Sequence, residues 1–164
     1  MSSLEPVPGW ARNTGHITVG APEPVESDSV ADRLAITERV YLYGWGYDER
    51  DRDLLAGCFV EDGTWEGHVM GIDGVGPFVG REAVVEFLAS FWDEQTDQRR
   101  HIFTNVVVSN LSETTGVAHA YLMLTASTGG EMKPVTNGPY RFEMRKESGV
   151  WRISRLAAGF DAPF

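Results

Sequence analysis

Few side chains in this sequence can move a proton near neutral pH: four histidines, His16, His68, His101 and His119, with His16 in a proline-broken N-terminal stretch. His101 opens a Val- and Thr-rich segment, and strand alternation puts it on one face with Phe103, Asn105 and Val107. An imidazole and an amide then share an otherwise apolar side. That mixture suits a proton-transfer site, and it equally suits a hydrogen-bonded structural histidine. His119 shares a strand face with Tyr121 and Met123 near the strand's outer end, and reads as structural. Asp48 ends an apolar helix face inside the run Tyr47-Asp48-Glu49-Arg50-Asp51-Arg52. Alone it fits a solvated helix end as well as a working carboxylate. Beside His101 it would fix the ring's tautomer and stabilise the imidazolium formed when the other nitrogen takes a proton. Such a pair performs general acid–base chemistry. Covalent catalysis lacks a nucleophile, because neither the serines nor Cys58 fall in a strand-to-helix elbow.

Other chemistries find no support. Gly74-Val75-Gly76 followed by Gly80 misses the dinucleotide fingerprint by one position, so no nucleotide cofactor is expected. His68 with Glu66 and Asp73 lacks a metal-ligand spacing, and no metal is expected either. The single cysteine excludes an intrachain disulfide and any multi-cysteine zinc site. A formal charge of -10 repels phosphate backbones and anionic lipid, which argues against nucleic acid and membrane partners. No apolar run of about 18 residues occurs, and the N-terminus lacks the order of a secretory signal, so a cytoplasmic protein is expected.

The elements that must hold these groups follow from periodicity. The 164 residues suit one domain. Residues 1–27 hold four of the eight prolines and read as an arm, either a loose tail or a strap on a neighbouring subunit, leaving 28–164 as the folded domain. A helix starting near Val30 buries Ile36, Val40, Tyr43 and Tyr47 at steps of four, three and four. Residues 53–59 read as a second short helix, Glu61-Asp62-Gly63 as a turn, and Thr64 to Met70 as a strand. Gly71 to Gly80 reads as a loop and Gly80 to Asp93 as a third helix. The period then changes to that of strands over 101–109, 116–125, 135–146 and 150–158. Helices first and strands later argue for an α+β fold whose curved sheet wraps the helices and can enclose a pocket.

Specific residues resemble a known family. Ala35-Ile36 to Tyr41, Gly46-Tyr47-Asp48-Glu49-Arg50-Asp51 and Leu54 to Phe59 are similar to the first two helices of the SnoaL-like group in the nuclear transport factor 2 superfamily. Phe78-Val79-Gly80-Arg81-Glu82-Ala83, Arg100-His101-Ile102-Phe103-Thr104-Asn105 and Gly149-Val150-Trp151-Arg152-Ile153 extend the likeness over residues 29–162. The resemblance implies a cone-shaped α+β barrel with a deep pocket, three N-terminal helices packed in a curved, mostly antiparallel sheet. The Tyr-Asp and His-x-x-x-Asn pieces resemble scytalone dehydratase, hexachlorocyclohexane dehydrochlorinase and bile acid dehydratase. In those enzymes a pocket histidine held by an aspartate removes a proton, and water or halide leaves. That dyad maps onto His101 and Asp48. Where scytalone dehydratase has a further tyrosine and a second histidine, this chain has Gly67 and a position near Thr125 or Ala126, which argues against that enzyme's substrate.

The resulting expectation is a cofactor-independent lyase or isomerase acting on a small apolar cyclic molecule such as a steroid, polyketide or terpenoid. His101 is expected as base and Asp48 as its orienter. Tyr43, Tyr47, Trp65, Asn105, Tyr121 and Tyr140 are expected to line the pocket, with Tyr140 or Tyr43 as hydrogen-bond donor to an enolate oxygen. The rival readings are a structural subunit like the β subunit of an aromatic-ring dioxygenase, and a ligand carrier. Either way a homo-oligomer, trimer or dimer, is expected from the open face of the sheet.

Overall fold

A computed structural model describes residues 7–163. Among these residues there are four α-helices, α1 (Trp10–Asn13), α2 (Val30–Asp48), α3 (Arg52–Gly57) and α4 (Arg81–Ala89). Six strands follow or separate them: β1 (Phe59–Val69), β2 (Asp73–Val79), β3 (Gln98–Ser109), β4 (Thr115–Thr128), β5 (Glu131–Glu147) and β6 (Val150–Phe160). The expected buried stripe of α2 is present, with Ile36, Val40, Tyr43 and Tyr47 all inside. Asp51 begins α3 because its carboxylate accepts the Leu54 N–H at 2.9 Å, satisfying a donor that the first helical turn leaves unpaired.

The strands form one sheet in the order β2-β1-β6-β5-β4-β3. All neighbours are antiparallel except β1 and β6, which run parallel. The sheet does not close, since β2 and β3 are both edges. Helices α2 and α4 lie against its concave side, α2 mainly on β3 and α4 on β1. Between them sits a core that includes Tyr43, Phe59, Phe142, Ile153 and Leu156. Removing such side chains from water supplies about 1.5–3 kcal/mol each.

Two expected boundaries are corrected. Glu61-Asp62-Gly63, read as a turn, lies inside β1, where the pairing with β6 breaks register between Phe59 and Thr64. The turn-like residues mark an irregularity in a long strand. The expected loop of 71–80 contains β2, paired with β1 from Val69↔Asp73 to Thr64↔Val79. Glycine and Pro77 are tolerated there because β2 is an edge strand, whose outer backbone groups have no partner to lose.

Within residues 7–27 several side chains hold to the body of the protein. Trp10 and Ile17 are buried, and the Trp10 indole N–H donates to Asp161 Oδ1 at 2.6 Å. Further along, the Glu23 carboxylate accepts the Asn110 N–H at 2.9 Å.

Candidate functional site

Helix α2 delivers Asp48 at its last residue, and β3 delivers His101 from its inward face. Asp48 Oδ1 lies 2.6 Å from His101 Nδ1, and Asp48 Oδ2 accepts the His101 backbone N–H at 2.7 Å. An ionised carboxylate only accepts, so the ring proton sits on Nδ1 and Nε2 is left as the basic atom. The two side chains are 6% and 7% exposed. Close approach of helix and strand depends on Gly44, where an added Cβ would lie 3.2 Å from His101 Cβ.

His101 faces a cavity of about 240 Å3 lined mainly by apolar and aromatic side chains, among them Trp65, Phe87, Leu124 and Phe160. Three tyrosines share that lining, Tyr43, Tyr47 and Tyr140. The Tyr47 ring stands edge-on to His101 with centroids 4.8 Å apart, and its hydroxyl donates to Gln95 Oε1 at 3.1 Å. The Tyr43 hydroxyl accepts from Trp65 Nε1 at 3.2 Å, which leaves its own proton available. Burial pushes the phenols of Tyr43, Tyr47 and Tyr140 above the usual range, with the Gln95 acceptor opposing this at Tyr47. All three remain neutral donors.

Of the residues expected at the site, Asp48 and His101 meet directly, and Tyr43, Tyr47, Trp65 and Tyr140 line the cavity. Two are corrected. Asn105 sits in a β-bulge, where the β3–β4 pairing breaks register between Thr104 and Val107, with its own φ at +54°. The extra residue ends the alternation that linked it to His101, and its side chain is exposed on the outer side of the sheet. Tyr121 is 57% exposed on that same outer side, because β4 turns Leu122 and Leu124 inward opposite Phe103 and His101. Asn105 and Tyr121 border a separate outer groove together with Thr18 and Met123.

Sequence reasoning missed Gln95, Arg99 and His68, all of which line the cavity. Arg99 could have been found, since it precedes His101 by two positions on one strand face. His68 is packed edge-on against His16 with ring centroids 4.2 Å apart. Burial lowers the His16 pKa, opposed by its contact with the Ala158 carbonyl. His119 is 5% exposed on the outer side, and neither ring nitrogen has a hydrogen-bond partner. Among the described residues no group of three or more His, Cys, Asp or Glu side chains is placed to hold a metal ion. No described helix is long and apolar enough to cross a membrane.

No curated protein matches the chain. Among solved structures it is similar to Rv3472 of Mycobacterium tuberculosis, described as a protein of unknown function, at 24% identity and TM-score 0.73, covering 88% of this chain and 79% of that one. A proposed aromatic ring hydroxylase of Novosphingobium aromaticivorans is 28% identical with TM-score 0.66, covering 82% of this chain and 92% of that one. From the same organism, the β subunit of a proposed aromatic-ring-hydroxylating dioxygenase aligns at 17% identity and TM-score 0.69, covering 85% of this chain and 95% of that one. Likeness at the lower identities speaks to the fold, a shared α+β architecture of helices in a curved sheet. The sequence profile of the SnoaL-like domain matches residues 28–157, most of the described chain, and the protein therefore belongs to the SnoaL-like family.

Proposed function

We propose that the protein is a lyase or isomerase that abstracts a proton from a small, mostly apolar cyclic substrate through the Asp48–His101 dyad. The observation that carries this reading is the buried 2.6 Å contact between Asp48 and His101 Nδ1, with the ring exposed to an apolar cavity. In the reaction, Nε2 accepts a proton from a carbon next to a carbonyl, and Asp48 stabilises the imidazolium through the Nδ1 proton. The C–H electron pair moves into the enolate, whose oxygen is held by a neutral tyrosine hydroxyl, Tyr140 or Tyr43. In an elimination the β-leaving group then departs with the proton from Nε2, as water if it is a hydroxyl. In an isomerisation the same proton returns to a different carbon.

The test needs no natural substrate. A panel of cyclic β-hydroxyketones is incubated in D2O, with enone absorbance reporting elimination and NMR reporting deuterium wash-in at the acidic carbon. The expected result is activity in the wild type that Asp48→Asn lowers by about 10^2–10^4-fold and His101→Ala abolishes, while their circular dichroism stays unchanged. Retained activity in both variants overturns the reading.

A second reading is favoured by the likeness to the ring-hydroxylase and dioxygenase β-subunit structures: a structural subunit of a larger oxygenase. Under it, a tagged chain co-purifies stoichiometrically with an iron-bearing partner, and Asp48→Asn leaves that assembly intact. A cytoplasmic homo-oligomer is part of the first reading. It is supported by Ile102, Val107, Tyr121 and Met123, all exposed, which offer apolar surface to a second copy. Light scattering after size exclusion distinguishes dimer, trimer and monomer.

A further inference from the structure

Among the described residues lining the cavity, one arginine or lysine is present, Arg99, and no aspartate or glutamate joins it. A guanidinium is an expensive group to hold against an apolar cavity, and its side chain here is only 17% exposed. Asp97 meets one edge of it, accepting from Nε at 2.5 Å and from Nη2 at 3.2 Å. Among the described residues no acceptor takes Nη1, so the second edge of the fork is open to a ligand. Gln95 stands beside it in the lining, and its Oε1 is occupied by the Tyr47 hydroxyl. Beyond that bond Gln95 offers its amide N–H2 as donors. This corner of the cavity thus joins the open edge of a guanidinium to a pair of amide N–H donors. It also opens outward, because Arg99, Gln95 and Tyr47 border a polar hollow of about 440 Å3 on their other side.

We propose that Arg99 and Gln95 form an anion subsite that receives a carboxylate carried by the apolar ligand of the cavity. The free Nη1/Nη2 edge matches a carboxylate in bidentate geometry, as Asp97 already does on the other edge. Arg99 and His101 are two positions apart on β3, which separates their backbones by about 7 Å. An acid whose ring carbons lie a few bonds from its carboxylate spans that interval. The subsite deepens the acid–base reading of this cavity by naming the substrate class, ring-bearing carboxylic acids, and it rests on that reading only for what happens after binding.

The experiment therefore measures binding by calorimetry on the full chain, with 1-naphthoate and its neutral isostere 1-naphthamide as probes. The wild type is expected to bind the acid at least about tenfold more tightly than the amide, the range that a charge-assisted pair contributes. Arg99→Gln removes the difference between the two probes. Asp97→Asn, which frees the guanidinium of its resident carboxylate, strengthens binding of the acid. This keeps the test decisive if Arg99→Gln fails to fold. His101→Ala retains the preference for the acid, so loss of the proton-transfer reading and loss of the subsite are separable. Equal affinity for the two probes in the wild type, or no binding of the acid, overturns the proposal.

Discussion

One carboxylate grips His101 at two points: Asp48 holds the ring through Nδ1 and the strand through the backbone N–H, at 2.6 and 2.7 Å. In Asp48→Asn one oxygen becomes an N–H2 donor. The backbone N–H can only donate, so the remaining oxygen stays with it and the new donor faces Nδ1. The ring must then carry its proton on Nε2, the atom needed as base. Nitrogen-15 NMR of histidine-labelled protein should show Nδ1 protonated in the wild type and Nε2 protonated in the variant. Turnover should fall by about 10^2–10^4-fold. An unchanged tautomer would mean that Asp48 does not orient the ring.

Helix α2 reaches its neighbours through glycine as well as through apolar side chains. A Cβ at Gly46 would lie 2.9 Å from the backbone N of Leu55, and backbone cannot step aside as a side chain can. Gly46→Ala should destabilise the protein by about 1–3 kcal/mol in urea unfolding, despite the roughly 1 kcal/mol that alanine gains in an exposed helix. A stabilised variant would show that α3 yields without strain.

Two histidines are held neutral by their surroundings. Burial lowers the pKa of His119, with Arg141 adding to the effect, and burial lowers that of His16, with His68 and Arg155 adding and Glu66 opposing. Their unfolded forms take up protons below about pH 6.5, where the folded forms resist. The unfolded state then binds more protons, so stability is complete above that pH and is lost as pH falls through the folded pKa values. The melting temperature should drop between pH 7.5 and 5.5, and the double variant His16→Gln, His119→Leu should show a shallower drop. Parallel curves would exclude both groups.

The C-terminal tail covers part of the cavity, since Pro163 belongs to its lining. It is tied by the Trp10 indole on Asp161 Oδ1 and by the Asp161 N–H on the Asn137 carbonyl at 2.7 Å. Trp10→Phe keeps the ring and removes the first tie, a loss of about 1–2 kcal/mol. Hydrogen exchange at the Asp161 amide should quicken while exchange in β4 stays as it was. If the Asp161 amide is equally protected, the remaining contacts suffice to hold the tail.

Cys58 is fully buried, and burial raises its thiol pKa against the opposing influence of Arg39. It should be inert to a disulfide-exchange reagent in the native state and react at the rate of global unfolding. Rapid labelling at pH 8 would indicate local opening between α3 and β1.

The dyad was legible because its two members obey the simplest rules: Asp48 continues a helical step, and His101 lies in β3 ahead of any irregularity. Asn105 lies beyond that point. A bulge reverses inside and outside without leaving a mark in residue type, so counting by twos fails after Thr104. For Tyr121 the alternation within β4 was right and the choice of face was wrong, because the face is decided by pairing with β3, which no single segment encodes. Strand β2 escaped notice for another reason. Its glycines and Pro77 carry the composition of a loop, and only an edge position admits them to a sheet. Arg99 and Gln95 could be placed only once the wall opposite them was known.

The parallel pairing of β1 with β6 also sets an order of events. Among the described residues the β1–β2 hairpin, which carries Trp65, is joined to the rest of the sheet solely through β6. Contacts so distant in sequence close late and slowly. During synthesis the hairpin, complete at Val79, waits for about seventy residues before β6 begins at Val150 to receive it, so the cavity gains its second wall only once β6 is made. Ligand affinity, followed on stalled chains of increasing length, should appear in a single step once β6 has emerged.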